Sequence, residues 1–155
     1  MDIARRMDSR AAQRALERLY GDRADKQLWR YKALAKKSYE RFGREDFHFF
    51  SAPGRTEILG NHTDHNGGMV LAGSINLDTA AAVSPREDGR IILNSEGFDQ
   101  EFSLDLSELT PVYSEQGTTT GLIRGIAARF KALGMAAGGF EACVMSDVLR
   151  GSGPS

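Results

Sequence analysis

The sequence predicts an α+β domain in which a mixed or antiparallel sheet carries helices on one side, preceded by a helical lead-in. Three observations point there. Apolar residues recur at helical spacing through the first 46 residues, and short alternating runs broken by Gly and Pro begin at Phe47. One further amphipathic stretch, near 120–133, precedes a last alternating run.

In the lead-in, Ala12, Ala15, Leu16 and Leu19 form one stripe that Gly21 stops. Leu28, Tyr31, Ala35, Tyr39 and Phe42 form a second from about Asp25, closed by Gly43. These aromatics sit at core spacing, so packing explains them. Residues 47–50 then predict a short strand ended by the turn pair Pro53-Gly54. The run from Met69 to Val83 is consistent with strands broken near Gly73, and residues 84–89 predict a turn. Arg90 to Leu93 and Glu101 to Leu104 are expected to pair. Thr120 precedes a helix through Leu122, Ile123, Ile126, Phe130 and Leu133, ended by Gly134. Phe140, Ala142 and Val144 alternate as a half-buried strand.

Twenty basic against 21 acidic residues leave a net charge of −1, so no nucleic-acid partner is expected. No apolar run could span a bilayer and no secretory signal opens the chain, so no membrane partner is expected and the sequence predicts a cytoplasmic protein. Cys143 is the only cysteine, which rules out an intrachain disulfide and predicts a buried, inert thiol.

The densest chemistry lies in residues 53–68, Pro-Gly-Arg-Thr-Glu-Ile-Leu-Gly-Asn-His-Thr-Asp-His-Asn-Gly-Gly. A metal cluster is one reading, since His62, Asp64 and His65 are ligand types. Hydrolases with a His-x-His-x-Asp-His run need a further histidine where this chain has Gly60. A solvated structural turn is a second reading. The third is a site for a ligand rich in hydroxyl groups, where every buried donor and acceptor must be matched.

The run resembles the galactokinase motif Gly-Arg-x-Asn-Leu-Ile-Gly-Glu-His-Thr-Asp-Tyr-Asn-x-Gly, matching at Gly54, Arg55, Gly60, His62, Thr63, Asp64, Asn66 and Gly68. Residues 122–126 resemble the helix that follows this motif in galactokinases, and 139–147 the strand leading into their phosphate loop. The resemblance implies the amino-terminal domain of a GHMP-type kinase (ribosomal protein S5 domain 2-like) over 47–155, with 1–46 as the lead-in. It implies that Asp64 accepts hydrogen bonds from adjacent galactose hydroxyls, with Asn61, His62 and Thr63 along the same sugar. Arg55 would stabilise the transferred phosphoryl group. The family has Glu where this chain has Asn61 and Asn where it has Glu57, so Glu57 is a candidate compensating contact and the exact sugar is open.

Gly151-Ser152-Gly153 matches the start of the family's phosphate loop Gly-x-Gly-Leu-Ser-Ser-Ser-Ala, with Pro154 in place of Leu. These three residues, and Ser95, are the candidate ATP contacts. The family's catalytic base and magnesium-associated groups fall beyond the loop. The parent is therefore expected to use galactose or a similar hexose with ATP and Mg2+, and the 155-residue chain alone to be inactive and bind no cofactor. Self-association through the surface that the missing half would cover is also expected. A non-catalytic sugar-sensing module of the same fold is the alternative, and a metallohydrolase a third reading.

Overall fold

The computed structural model describes residues 6–60 and 66–148. Ser9 accepts a hydrogen bond from the Ala12 amide at 3.2 Å and starts helix α1 (Arg10–Tyr20). A short 3-10 turn, Gly21–Arg23, leads into α2 (Ala24–Phe42), which closes at Gly43 as the sequence predicts. The buried stripe of α2 is Gln27, Tyr31, Leu34, Ala35 and Ser38, turned slightly from the expected one, so that Tyr39 is exposed.

The strands are β1 (His48–Leu59), β2 (Leu71–Arg86), β3 (Arg90–Ser95), β4 (Phe102–Asp105) and β5 (Gly139–Ser146). Helix α3 (Thr119–Ala132) lies between β4 and β5 in the chain. The sheet order is β1-β2-β5-β3-β4, antiparallel except for the parallel pair β3–β5, so the sheet is mixed. A parallel pair needs a long crossover, and β4 with α3 supplies it. Strands β3 and β4 pair from Arg90 opposite Asp105 to Leu93 opposite Phe102, as expected.

Register assigns the faces. Phe49, Ala82 and Cys143 form one row and Ser51, Ala80 and Met145 the next, on the face that meets Tyr31, Leu34 and Ala35 of α2. Tyr31 meets Phe49 edge-on at 5.0 Å between ring centres. Ile91, Phe102 and Leu104 lie on the other face, against Thr120 and Ile123 of α3. Helices thus lie on one side of the sheet for α3 and on the opposite side for the lead-in. The cause is visible in β5, where neighbours Ala142 and Cys143 point to opposite faces yet are both buried. For the same reason β5 is not the half-buried strand that its alternation predicts. Burial pushes the Cys143 thiol pKa up, in keeping with an inert residue.

Two predicted strand ends are overturned. Strand β1 does not stop at Pro53-Gly54 but runs through to Leu59. It is an edge strand bonded only to β2, so the missing Pro53 N–H leaves little unpaired. Strand β2 likewise passes Gly73 unbroken and continues through Pro85, which lies beyond the last β1 pair at Val83. The turn that remains is Glu87–Gly89. Helix α3 forms, but Thr118 rather than Thr120 caps it, so Thr120 lies inside; Leu122, Ile126, Phe130 and Leu133 are exposed, and Ala127 is its buried residue.

Candidate active site

The register of β1 on β2 breaks within the sequence motif. Pro53 faces Asp78 and Arg55 faces Ser74, so Ile75, Asn76 and Leu77 bulge opposite Gly54 alone. Gly54 is closely covered there. A Cβ at this position would lie 3.1 Å from Val148 Cγ2 and 3.2 Å from Ile75 Cδ1. The Asp147 amide donates to the Asp78 carbonyl at 2.9 Å, which fixes the exit of β5 beside this bulge. The start of the 53–68 motif and the segment approaching residue 151 therefore adjoin.

Arg55, on β1 just past the bulge in β2, has its side chain 58% exposed, and its Nη2 lies 3.5 Å from Glu57 Oε1. That Glu57 carboxylate is mostly buried, at 14%. Alternation along the strand brings these two candidates together. Three residues beyond Glu57, Gly60 turns the chain at φ +111°, where L side chains are strained. A Cβ there would approach the Met69 carbonyl oxygen to 2.7 Å and Val70 Cα to 2.9 Å. Gly60→Ala is expected to destabilise the fold by roughly 1–3 kcal/mol, read as a lower thermal midpoint. An unchanged midpoint would contradict the tight approach.

Ser95 is placed differently. It ends β3 opposite Val144, in a row that continues through Ala81 to Phe50. Two strands separate it from β1, roughly 14 Å at ordinary strand spacing, so the structure does not bring it to Arg55. Asn61, His62, Thr63 and Asp64 lie outside the described residues, as do Gly151, Ser152 and Gly153. A cavity of about 880 Å³ opens elsewhere, between residues 109–118 and the first turns of α3. It shares no lining residue with the bulge.

Beneath the bulge lies a polar cluster that sequence reasoning missed. Asp78, 3% exposed, accepts hydrogen bonds from Tyr20 Oη and Ser51 Oγ on Oδ2, each at 2.5 Å, and from Arg30 Nη1 on Oδ1 at 2.6 Å. Arg30 also reaches the Asp78 and Met145 carbonyls at 3.0 and 2.9 Å, and Asp147 Oδ2 at 3.3 Å. Gln27, fully buried, donates to the same Asp147 oxygen at 3.0 Å. Burial alone would raise the Asp78 carboxyl pKa, but the Arg30, Ser51 and Tyr20 bonds and the Arg30 charge hold it below the usual carboxylate range. Burial, then the bond to Asp78, push the Tyr20 phenol well above its ordinary value.

Residues 39–85 match the galactokinase galactose-binding signature, which spans the bulge, Arg55, Glu57 and Gly60. The chain is galactokinase-like. It falls in the GHMP kinase superfamily, and its mixed α+β architecture is that of the superfamily's amino-terminal domain. Galactokinase of Lacticaseibacillus casei (strain BL23) is 37% identical over 95 residues, covering 61% of this chain and 24% of that protein. Human galactokinase is 37% identical over 129 residues, covering 79% of this chain and 32% of that one. The crystal structure of Lactococcus lactis galactokinase complexed with galactose superposes with a TM-score of 0.71 at 32% identity, over 81% of this chain and 33% of that one. Methanococcus jannaschii mevalonate kinase shares the fold, with a TM-score of 0.53 at 18% identity over 71% of this chain and 35% of that one. The galactokinase-like chain thus spans between a quarter and a third of the length of these relatives. No helix among its described residues is long and apolar enough to cross a membrane.

Proposed function

We propose that the full-length protein carrying this chain is a galactokinase, transferring the γ-phosphoryl group of ATP to the anomeric hydroxyl of galactose. The anomeric oxygen bonds to phosphorus as the bond to the ADP oxygen breaks, and the hydroxyl proton passes to a base beyond residue 155. One observation carries this reading: Gly54, on β1 opposite the β2 bulge and next to Arg55, packs against Val148 at the exit of β5. The start of the sugar motif at Gly54 and the segment that leads toward the phosphate contacts then lie side by side.

In this scheme Asp64 receives two vicinal sugar hydroxyls, while Asn61, His62 and Thr63 bind the rest of that edge. Arg55, exposed beside the bulge, faces the charge that develops on the phosphoryl group. Glu57 orients Arg55 and restores the carboxylate that Asn61 lacks. The amides of Gly151, Ser152 and Gly153 receive phosphate oxygens, and Ser95 contributes from the nucleotide side. Residues 47–155 form the sugar-binding part of the kinase domain and residues 1–46 its helical support. Mg2+ would neutralise phosphate charge. Among the described residues no three His, Cys, Asp or Glu side chains gather to hold a metal ion.

The test is ATP-dependent phosphorylation by the full-length protein across a hexose panel. Turnover is expected with galactose and is expected to be lost in Asp64→Ala. Galactose binding without turnover would favour a sugar-sensing module, and one stoichiometric zinc with no sugar bound would favour a hydrolase.

A further inference from the structure

We propose that Arg23, which ends the turn between the lead-in helices, is a positioning residue for Arg55 and acts through the bulge of β2. This rests on the kinase reading above. Arg23 lies outside residues 39–85, which the galactose-binding signature matches.

The sheet ladder does not shape the bulge. Pairing of β2 with β1 skips from Asp78 to Ser74, and its pairing with β5 starts only at Thr79. Ile75, Asn76 and Leu77 therefore have no register partner on either side. A bulge bends the strands locally and re-aims the side chains beside it. Here that side chain is Arg55, opposite Ser74 at the edge of the bulge. The packing across the two strands is close. Ile75 Cγ1 and Cδ1 lie 3.2 Å from where a Gly54 Cβ would stand, so the bulge rests on the residue that precedes Arg55.

The lead-in holds this segment at two points. At its end, Tyr20 and Arg30 bond the Asp78 carboxylate. At its middle, Arg23 Nη2 donates to the Asn76 carbonyl. Asn76 has no strand partner to keep its peptide in place, and a charged donor bonds a carbonyl more strongly than a neutral one. The two points differ in what depends on them. Asp78 belongs to a buried cluster, whereas Arg23 is only half-buried, so its loss should loosen the bulge with little effect on stability. Arg55 is sensitive to such loosening. An exposed side chain with an ion pair as long as 3.5 Å takes its direction from the backbone that carries it. A misplacement of about 1 Å near a reacting centre can cost about 10²-fold in rate. Gly60, further along the motif, packs on Met69 and Val70 instead of on the bulge. Arg23 should therefore act on the rate more than on the galactose KM.

Steady-state kinetics of the full-length protein test this with Arg23→Met, Arg23→Lys, Arg55→Ala and the double variant of Arg23→Met with Arg55→Ala. In Arg23→Met, kcat should fall about tenfold, with the galactose KM within about twofold of wild type and the thermal midpoint nearly unchanged. Arg23→Lys keeps a donor for the Asn76 carbonyl and should recover part of the loss. In the Arg55→Ala background, Arg23→Met should have no further effect, because the cation that it positions is gone. A merely structural role would lower the midpoint and reduce activity by the same factor with or without Arg55. That result, or a wild-type kcat in Arg23→Met, overturns the proposal. A full-length wild type that phosphorylates no hexose overturns the kinase reading, and the role of Arg23 with it. An active wild type whose kcat is unchanged in Arg55→Ala removes both arginines from the reaction and leaves the kinase reading in place.

Discussion

Asp78→Ala is expected to destabilise the full-length protein by about 3–5 kcal/mol, the usual consequence of removing one partner of a buried ion pair. The size follows from what is left behind. Tyr20 and Ser51 lose this acceptor and Arg30 Nη1 loses its shortest bond and nearest counter-charge at once, in a cluster where Asp78 itself is 3% exposed. Against a total stability of about 5–15 kcal/mol, such a loss should appear as a large drop in thermal midpoint or in soluble yield. Asp78→Asn keeps the shape and an acceptor oxygen, so it should be milder. The pair also differs from wild type in acid. Because the folded carboxyl pKa is depressed, its stabilisation is present above the unfolded value of about 3.9 and disappears as pH falls through the lower folded value. In Asp78→Asn that part of the acid loss should be absent. A wild-type midpoint in Asp78→Ala would show that the cluster contributes little.

Arg55→Ala should do the reverse, with a large effect on rate and a small one on stability. Its side chain is 58% exposed and its ion-pair distance to Glu57 is 3.5 Å, so the thermal midpoint should hardly move. Loss of a preorganised cation at the reacting centre costs about 10²–10³ in kcat. The galactose KM should stay near wild type, because the sugar contacts assigned to residues 61–64 remain. Arg55→Lys should recover only part of the rate, since an ammonium lacks the planar fork. A kcat within about tenfold of wild type in Arg55→Ala would remove Arg55 from the reacting centre.

Sequence patterns revealed the features that depend on local chemistry. Gly21 and Gly43 marked both helix ends, and the β3–β4 pair and α3 followed from alternation and capping. The motif at 53–68 was legible because its residues are contiguous. Its strand was not, since Pro53-Gly54 signals a turn unless the strand is known to lie at an edge, which only the topology reveals. Pro85 misled for the same reason. The Arg30–Asp78–Asp147 cluster was hidden by separation, its members lying 48 and 117 residues from Arg30. One signal was available. Gln27 falls one turn before Tyr31 on the buried stripe of α2, and a polar residue on such a stripe implies a buried partner.

In the proposed kinase the sugar motif and the approach to the phosphate loop meet so that the anomeric oxygen receives the phosphoryl group. Proton-coupled phosphorus NMR of the product made by the full-length protein from galactose and ATP tests this directly. The expected result is a phosphorus signal split by the anomeric proton alone, with ADP formed in equal amount. Phosphate on the exocyclic C6 oxygen, or ADP and free phosphate with no sugar phosphate, would contradict it.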